Sequence, residues 1–150
     1  MQNFVNIYGN SIKSKGAFYV PAGDGKLSFV DDRDSAAVGV KVLIDDQHNR
    51  HYGKAYPMTA PEALSYGEAA EILSREVGRK ISYVDIAEES ARRGLKEIGM
   101  DDWFINSMME LYAIVRAGYA SYLSSAVKDI TGKKPISFSQ FARGYAQSFK

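Results

Sequence analysis

The 150-residue sequence contains no cysteine, which excludes disulfide scaffolds, thiol nucleophiles and cysteine-ligated zinc or iron–sulfur sites. It contains only two histidines, so few residues could act as the general base of a serine–histidine catalytic site. The formal net charge is +1, which gives no general electrostatic case for binding nucleic acid or an anionic membrane. No apolar run approaches the roughly 20 residues of a membrane span, and no signal peptide opens the sequence. We therefore expect a cytoplasmic protein that binds neither nucleic acid nor membrane.

The length and composition are those of an ordinary globular domain. Of the 150 residues, 45% are hydrophobic and 25% are charged, which is enough apolar material for a core that needs no disulfide or metal. No internal repeat or low-complexity stretch divides the sequence. We expect one folded domain over residues 1–150.

Short strands are predicted in the first part of the sequence. Segments 16–20 and 27–30 are aromatic and β-branched, and the Asp-Gly pair at 24–25 supplies the positive-φ residues of a tight turn between them. We therefore expect these two strands to form a hairpin. A third strand is predicted at 51–59, where Pro57 places it at a sheet edge or against a loop.

A helix is predicted after Val30, because apolar residues recur there at three-to-four spacing. Carboxylates crowd its start, where they accept hydrogen bonds from free backbone N–H groups and favour the positive end of the helix dipole. A magnesium site or acid–base catalysis is the alternative role for these carboxylates, and the capping role is favoured. The apolar positions are Ala36, Ala37, Val40, Leu43 and Ile44, and the acidic ones are Asp31, Asp32 and Asp34.

Helices dominate the rest of the sequence. Ser65 and Glu68 have the Ser-x-x-Glu spacing of a capping box, which predicts a helix over 66–77 that ends at Gly78. An alternating segment at 80–84 predicts one more strand. Further helices are predicted over 85–99, 101–122 and 137–149. The fold class is therefore helix-rich α/β with few strands.

Three patterns that suggest chemistry have simpler interpretations. The Gly-Asp-Gly-Lys sequence at 23–26 lacks the spacing and the strand-to-helix context of a phosphate-binding loop, so we interpret it as a turn. His48 and His51 could ligate a metal, but their surroundings have the composition of a solvated loop. The aromatic residues of the 101–122 helix, including Trp103 and Tyr112, could line a pocket for a flat ligand or fill the core.

Two longer motifs occur in a fixed order. The first, p-G-d-G-k-x-s-f-V-d-x-R-D-x-A, is matched by Pro21, Gly23, Gly25, Val30, Asp31, Arg33, Asp34 and Ala36. The second, T-g-P-e-a-L-S-y-x-e-x-A, is matched by Thr59, Pro61, Glu62, Leu64, Ser65, Tyr66, Glu68 and Ala70, with Ala60 in place of the usual glycine. With these motifs the whole chain resembles the NmrA-like branch of atypical short-chain dehydrogenase/reductase proteins.

The resemblance covers only the C-terminal half of that family. It implies the substrate-side lobe of an NmrA-like Rossmann protein without its dinucleotide-binding half, because no Gly-x-Gly-x-x-Gly and no Tyr-x-x-x-Lys occur in the sequence. NADP or NAD is the cofactor that the family implies, and we do not expect this chain to bind it alone. By family position, Asn3 and Phe4 are assigned to the cofactor and Ile7 to the substrate. Trp103 and Tyr112 are added as pocket walls, and no catalytic or metal-ligating residue is assigned.

Three functions follow from the resemblance. The preferred one is the substrate-side lobe of an NAD(P)-dependent oxidoreductase or NAD(P)-sensing regulator, without catalysis of its own. The alternatives are an autonomous module that binds a small ligand and a module that binds a protein. We expect a homo-oligomer, or a second chain that supplies the missing half, because apolar residues 4–8 lose their neighbour and the strands around 17–30 and 52–59 keep unpaired edges. Residues 1–12 are expected to rearrange or to exchange between chains.

Overall fold

The computed structural model describes residues 1–45 and 50–150, and helices make up most of them. The helices are α1 (Asn3–Asn6), α2 (Gly9–Lys15), α3 (Asp32–Ile44), α4 (Tyr66–Val77), α5 (Glu88–Glu97), α6 (Asp102–Arg116), α7 (Ala126–Thr131) and α8 (Phe138–Gly144), followed by a 3-10 turn at Ala146–Phe149. The strands are β1 (Ala17–Val20), β2 (Lys26–Leu27), β3 (Leu64–Ser65) and β4 (Ser82–Asp85). The helix-rich α/β class is confirmed.

The strands form two separate pairs instead of the expected hairpin. β1 pairs in parallel with β4, with Ala17 opposite Ser82 and Val20 opposite Asp85. β2 pairs antiparallel with β3. The hairpin prediction was therefore wrong, because each early strand takes a partner far along the chain. The 27–30 strand is also shorter than predicted, since the Ser28 N–H donates to the carbonyl oxygen of Ala120 outside any ladder.

The loop between β1 and β2 uses its glycines differently from the prediction. The positive φ of +55° belongs to Gly23 and not to Gly25. Gly25 is needed for another reason, since a Cβ there would lie 2.1 Å from the carbonyl oxygen of Val115. This loop therefore packs its backbone directly against the end of α6.

Helix α3 begins as predicted but buries a different face. The Asp31 carboxylate caps it by accepting the Arg33 N–H at 2.9 Å, so the capping role of this acidic residue is confirmed. The buried residues are Asp34 and Val38, and the Asp34 carboxylate accepts the Ile136 N–H at 2.7 Å. The predicted apolar stripe faces solvent instead, with Val40, Leu43 and Ile44 all more than half exposed.

Segment 51–59 forms no regular strand. It lies outside both ladders, although Thr59 accepts a hydrogen bond from the Ser124 N–H at 2.9 Å. A strand needs a neighbouring strand to take its backbone hydrogen bonds, and the described residues 1–45 and 50–150 supply none to this segment. The strand prediction for 51–59 was therefore wrong for this chain.

The helices predicted in the rest of the sequence are present, but some of them begin or end at other residues than predicted. The predicted capping box of α4 is present, and Gly78 ends the helix with φ of +78°. Asp85 belongs to β4, so α5 begins later than predicted, after Ala87. Helix α6 ends at Arg116 and not near residue 122, because Gly118 adopts a φ of +84°.

The core is built around the N-terminal segment. The Phe4 ring is buried and meets the rings of Phe18, Phe29 and Phe138 edge-on, at centroid distances of 5.4, 5.3 and 5.0 Å. Tyr8 is buried beside it. Phe4 and Tyr8 are therefore not left exposed, and the N-terminal segment packs within its own chain. None of the helices in the described ranges is long and apolar enough to cross a bilayer.

Candidate functional site

An apolar cavity of about 550 Å³ lies between α2, β1, α5 and α6, within the usual range of small-molecule pockets. Two of the residues assigned to substrate, Ile7 and Tyr112, lie in its wall although they are far apart in sequence. The lining residues are Ile7, Tyr8, Ser11, Lys15, Phe18, Tyr19, Pro21, Ile86, Ser90, Ala91, Gly94, Leu95, Ile98 and Tyr112. The structure thus brings these two predicted residues to one place.

The shape of this apolar pocket comes from rings on one side and small side chains on the other. The rings of Tyr8 and Phe18 stack with centroids 5.6 Å apart and planes 24° apart. Helix α5 faces them with Ser90, Ala91 and Gly94, and the small side chains leave the space open. A slot between rings and a small-residue helix suits a flat apolar ligand.

Two tyrosine hydroxyls form a polar group in the wall of the apolar pocket. The Tyr8 and Tyr112 hydroxyl oxygens share a hydrogen bond of 2.6 Å. Burial raises the pKa of Tyr112 to about 12 and holds the pKa of Tyr8 well above its ordinary value. Both hydroxyls therefore stay protonated at neutral pH. Because one of them donates to the other, one O–H proton of the pair remains to be donated to a ligand oxygen or nitrogen.

Tyr8 was missed by the sequence analysis, although a signal for it exists. Phe4, Tyr8 and Ile12 recur at a spacing of four residues, which is the period of one helix face. All three are buried, and Tyr8 lines the pocket from the connection between α1 and α2.

A smaller cavity of about 240 Å³ lies on the other side of Tyr8. It is lined by the two residues assigned to the cofactor, Asn3 and Phe4, together with Tyr66 and residues 27–30. Phe4 is also part of the core. The volume is below the roughly 300 Å³ at which small-molecule pockets begin, so this cavity cannot enclose a dinucleotide.

A polar cavity of about 460 Å³ adjoins the apolar pocket and shares Pro21, Ile86 and Tyr112 with it. Its charged groups are already paired, because the Arg116 guanidinium lies 3.0 Å from the Asp85 carboxylate. Asp85 also accepts the Gly23 N–H at 2.9 Å. Although burial by itself would raise it, the pKa of Asp85 is lowered by the hydrogen bonds that it accepts and by Arg116. We assign this cluster a structural role at the pocket's edge.

Trp103 does not line any of these cavities. Helix α6 buries the face that carries Ile105, Met108 and Tyr112, and Trp103 lies on another face with 77% of its surface exposed. The assignment of Trp103 to a pocket wall is therefore not supported by its position.

His51 is not in a solvated loop, contrary to the prediction. Its side chain is 14% exposed, with Nε2 at 2.9 Å from an Asp45 carboxylate oxygen and Nδ1 at 2.7 Å from the Tyr56 hydroxyl. His48 lies outside the described residues. Within residues 1–45 and 50–150, no group of three or more potential metal ligands comes together.

Comparison with curated proteins relates the chain to reductases. It is 39% identical to an NAD(P)H azoreductase of Xenophilus azovorans over 149 residues, 99% of this chain and 51% of the relative. It is 36% identical to the uncharacterized oxidoreductase YesF of Bacillus subtilis over 148 residues, 97% of this chain and 50% of the relative. The chain spans about half the length of these relatives and matches their C-terminal half. No protein-family model matches it.

Solved structures show the same fold over the same fraction. An NADPH-dependent quinone oxidoreductase of Escherichia coli superposes with a TM-score of 0.81 at 20% identity, over 95% of this chain and 50% of that one. A triphenylmethane reductase of Citrobacter sp., solved with NADP(H), superposes with a TM-score of 0.79 at 23% identity, over 97% and 49%. The fold of this chain is therefore that of one half of NAD(P)H-dependent reductases.

Proposed function

We propose that this chain is the substrate-side, C-terminal lobe of an NmrA-like, NAD(P)H-dependent oxidoreductase of the cytoplasm. The observation that carries the proposal is the 39% identity that extends over 99% of the chain but only 51% of the azoreductase. An NAD(P)-sensing regulator built on the same lobe is the related alternative. The lobe would meet its cofactor only beside a dinucleotide-binding half.

The described residues do not fit a whole dinucleotide. The cavity at Asn3 and Phe4 holds about 240 Å³. The 150-residue sequence has no glycine-rich strand-to-helix turn to bind a pyrophosphate, which normally supplies much of the affinity. We therefore propose that these residues contact at most the edge of NADP(H) or NAD(H) and that the chain alone does not catalyse hydride transfer.

The apolar pocket is proposed as the substrate site. Quinones and triphenylmethane dyes, which appear in the names of two of the similar reductases, are compounds with conjugated rings, and a third relative is named for azo compounds. The pocket offers the stacked rings of Tyr8 and Phe18 and the open wall of α5 to such a ligand. The remaining O–H proton of the Tyr8–Tyr112 pair would orient a carbonyl or azo group by hydrogen bonding.

A second candidate is an autonomous module that binds a small ligand. It is favoured by one observation, namely that α2, β1, α5 and α6 of this chain surround a pocket of about 550 Å³. A small ligand could therefore be held without a second half, whereas hydride transfer would need one.

Binding of an uncharged aromatic probe tests the pocket. Anthraquinone-2-sulfonamide is suitable, and the chain has no cysteine that a quinone could alkylate. We expect calorimetry to give micromolar affinity, and Gly94→Leu to weaken it at least tenfold, because Gly94 lines the pocket and a Cβ there meets open space. Gly39→Leu is the matched control, since Gly39 is also helical and unobstructed but lies in α3.

The same experiment includes NADPH, followed by its fluorescence. We expect no micromolar NADPH binding to the isolated chain. Robust NADPH binding would refute the absence of a cofactor site, and failure of the anthraquinone to bind, or equal weakening by both leucine variants, would refute the pocket.

A further inference from the structure

The apolar pocket carries one formal charge in its wall. Of the residues that line it, all of which are described, Lys15 is the one charged side chain, and no carboxylate is present. Net charge along the whole sequence is nearly balanced, so this local imbalance is a property of the pocket. A ligand in the pocket is therefore exposed to a positive potential that no lining acid cancels.

Lys15 is not neutralised by a neighbour. Within residues 1–45 and 50–150 it forms no ion pair, and its ammonium lies 5.8 Å from the centroid of the Tyr19 ring. Tyr19 also lines the pocket and is partly exposed, so the two side chains border the same opening. A cation held over a ring face keeps its charge and remains available to an anion.

Two backbone carbonyls at the C-terminal end of α2 accept side-chain hydrogen bonds from Arg79 and not from Lys15. Arg79 reaches across from the turn after α4 and donates to the carbonyl oxygens of Ile12 and Lys13. A cation near a helix C-terminus commonly serves those carbonyls. Because Arg79 has that role here, the Lys15 ammonium has the Tyr19 ring beside it but no acidic partner in the described part of the chain.

The neighbouring polar cavity differs in this respect. Its cation, Arg116, is paired with Asp85, and its other acid, Glu88, is paired with Arg92 at 2.8 Å. Among the described residues that line the apolar pocket and the polar cavity, the charge without an opposite partner is therefore that of Lys15 on α2. A ligand would be fixed in one orientation, with its negative group toward Lys15 and its hydrogen-bond acceptor toward Tyr8 and Tyr112.

We infer that the pocket prefers flat aromatic ligands that carry an anionic substituent, a sulfonate or carboxylate, and that Lys15 determines this preference. The inference rests on the proposed substrate pocket. It concerns specificity, because the rings supply the apolar contact for charged and uncharged ligands alike. A partly exposed ion pair with Lys15 corresponds to about a twofold to fivefold gain in affinity.

The test compares anthraquinone-2-sulfonate with the uncharged anthraquinone-2-sulfonamide by calorimetry. We expect the sulfonate to bind about twofold to fivefold more tightly to the unmodified chain, and 1 M NaCl to remove most of the difference. Lys15→Met should equalise the two affinities by weakening only the sulfonate. Unchanged sulfonamide binding then shows that the variant pocket is intact.

Lys13→Met is the matched control, because Lys13 lies in the same last turn of α2 but not in the pocket wall. It should keep the preference for the sulfonate. Equal affinities in the unmodified chain, or an equal loss in both lysine variants, would overturn the role of Lys15 and leave the pocket standing. Binding of neither anthraquinone would overturn the pocket itself, and the inference with it.

Discussion

Gly25 lies where the loop after β1 passes the end of α6. A Cβ at this position would lie 2.1 Å from the Val115 carbonyl oxygen and 3.0 Å from the Arg116 Cα. Both neighbours are backbone atoms, so neither can move without displacing α6. Because Arg116 and Tyr112 belong to the cavities beside this helix, Gly25 also fixes the distance between the loop and the candidate site.

Gly25→Ala should therefore lower the free energy of unfolding by about 3 kcal/mol, as expected for overpacking against rigid backbone. Gly39→Ala, in the open interior of α3, should instead raise it by about 0.5–1 kcal/mol, because alanine favours helix. Urea denaturation of the two variants measures both effects. Equal midpoints would contradict the close approach at Gly25.

At the residue scale, the sequence predicted the apolar part of the site better than its polar part. Ile7 and Tyr112 lie in the pocket, but Trp103 does not, because the buried face of α6 is set by neighbours that local spacing does not reveal. Lys15 and Tyr8 were not selected. A lysine at the end of a helix resembles any solvated lysine until the structure of residues 1–45 and 50–150 shows that it lines a pocket and forms no ion pair there.

Helix α4 begins with two reciprocal hydrogen bonds. The Ser65 hydroxyl accepts the Glu68 N–H at 3.1 Å, and the Glu68 carboxylate accepts the Ser65 N–H at 2.7 Å. Lys26 from β2 binds the same carboxylate at 2.7 Å and, with the Ser65 N–H, holds the pKa of Glu68 below its ordinary value. The cap therefore joins a helix start to the β2–β3 pair.

Ser65→Ala should lower the free energy of unfolding by about 1 kcal/mol, because it removes the acceptor for one N–H group at the helix start. Ser14→Ala is the control, since the Ser14 hydroxyl only bonds back to Asn10 on an exposed face of α2. Chemical denaturation is the measurement. An unchanged midpoint for Ser65→Ala would mean that water replaces the cap without cost.

At the scale of helices and strands, the sequence predicted where α3 and α4 begin but not which strands pair. The starts of α3 and α4 could be predicted because a cap depends on residues two or three positions apart. The β1–β2 hairpin and the 51–59 strand could not, because a strand is defined by its partner. β1 finds its partner beyond α4, and 51–59 finds none in the described ranges.

At the scale of the whole molecule, one exposed apolar surface lies on α3. Leu43 is 85% exposed, and Val40 and Ile44 lie on the same outward side of the helix. The expected location was the N-terminal segment, but that segment is in the core. An apolar helix face of this kind is usually covered by another protein surface. Half of each similar reductase has no counterpart here, so a dinucleotide-binding half or a second copy are the candidates.

We predict that the isolated chain forms a homodimer or higher oligomer through this face. Leu43→Lys with Ile44→Lys should shift the molar mass from light scattering toward the monomer. Tyr119→Lys, which replaces an equally exposed apolar residue after α6, should not. A monodisperse monomer across a wide concentration range would contradict the prediction.

The parallel pair of β1 and β4 has a consequence for how the chain folds. Ala17 can pair with Ser82 only after the segment that contains α3 and α4 has closed into a loop. Closing this loop lowers the conformational entropy of the chain before the β1–β4 hydrogen bonds have formed. Proteins whose contacts join distant parts of the chain fold more slowly than those with local contacts. The candidate pocket has β1 in one wall, so its full lining requires the β1–β4 pair as well as the local helices. Ligand recognition by this chain therefore depends on a contact between distant parts of the sequence.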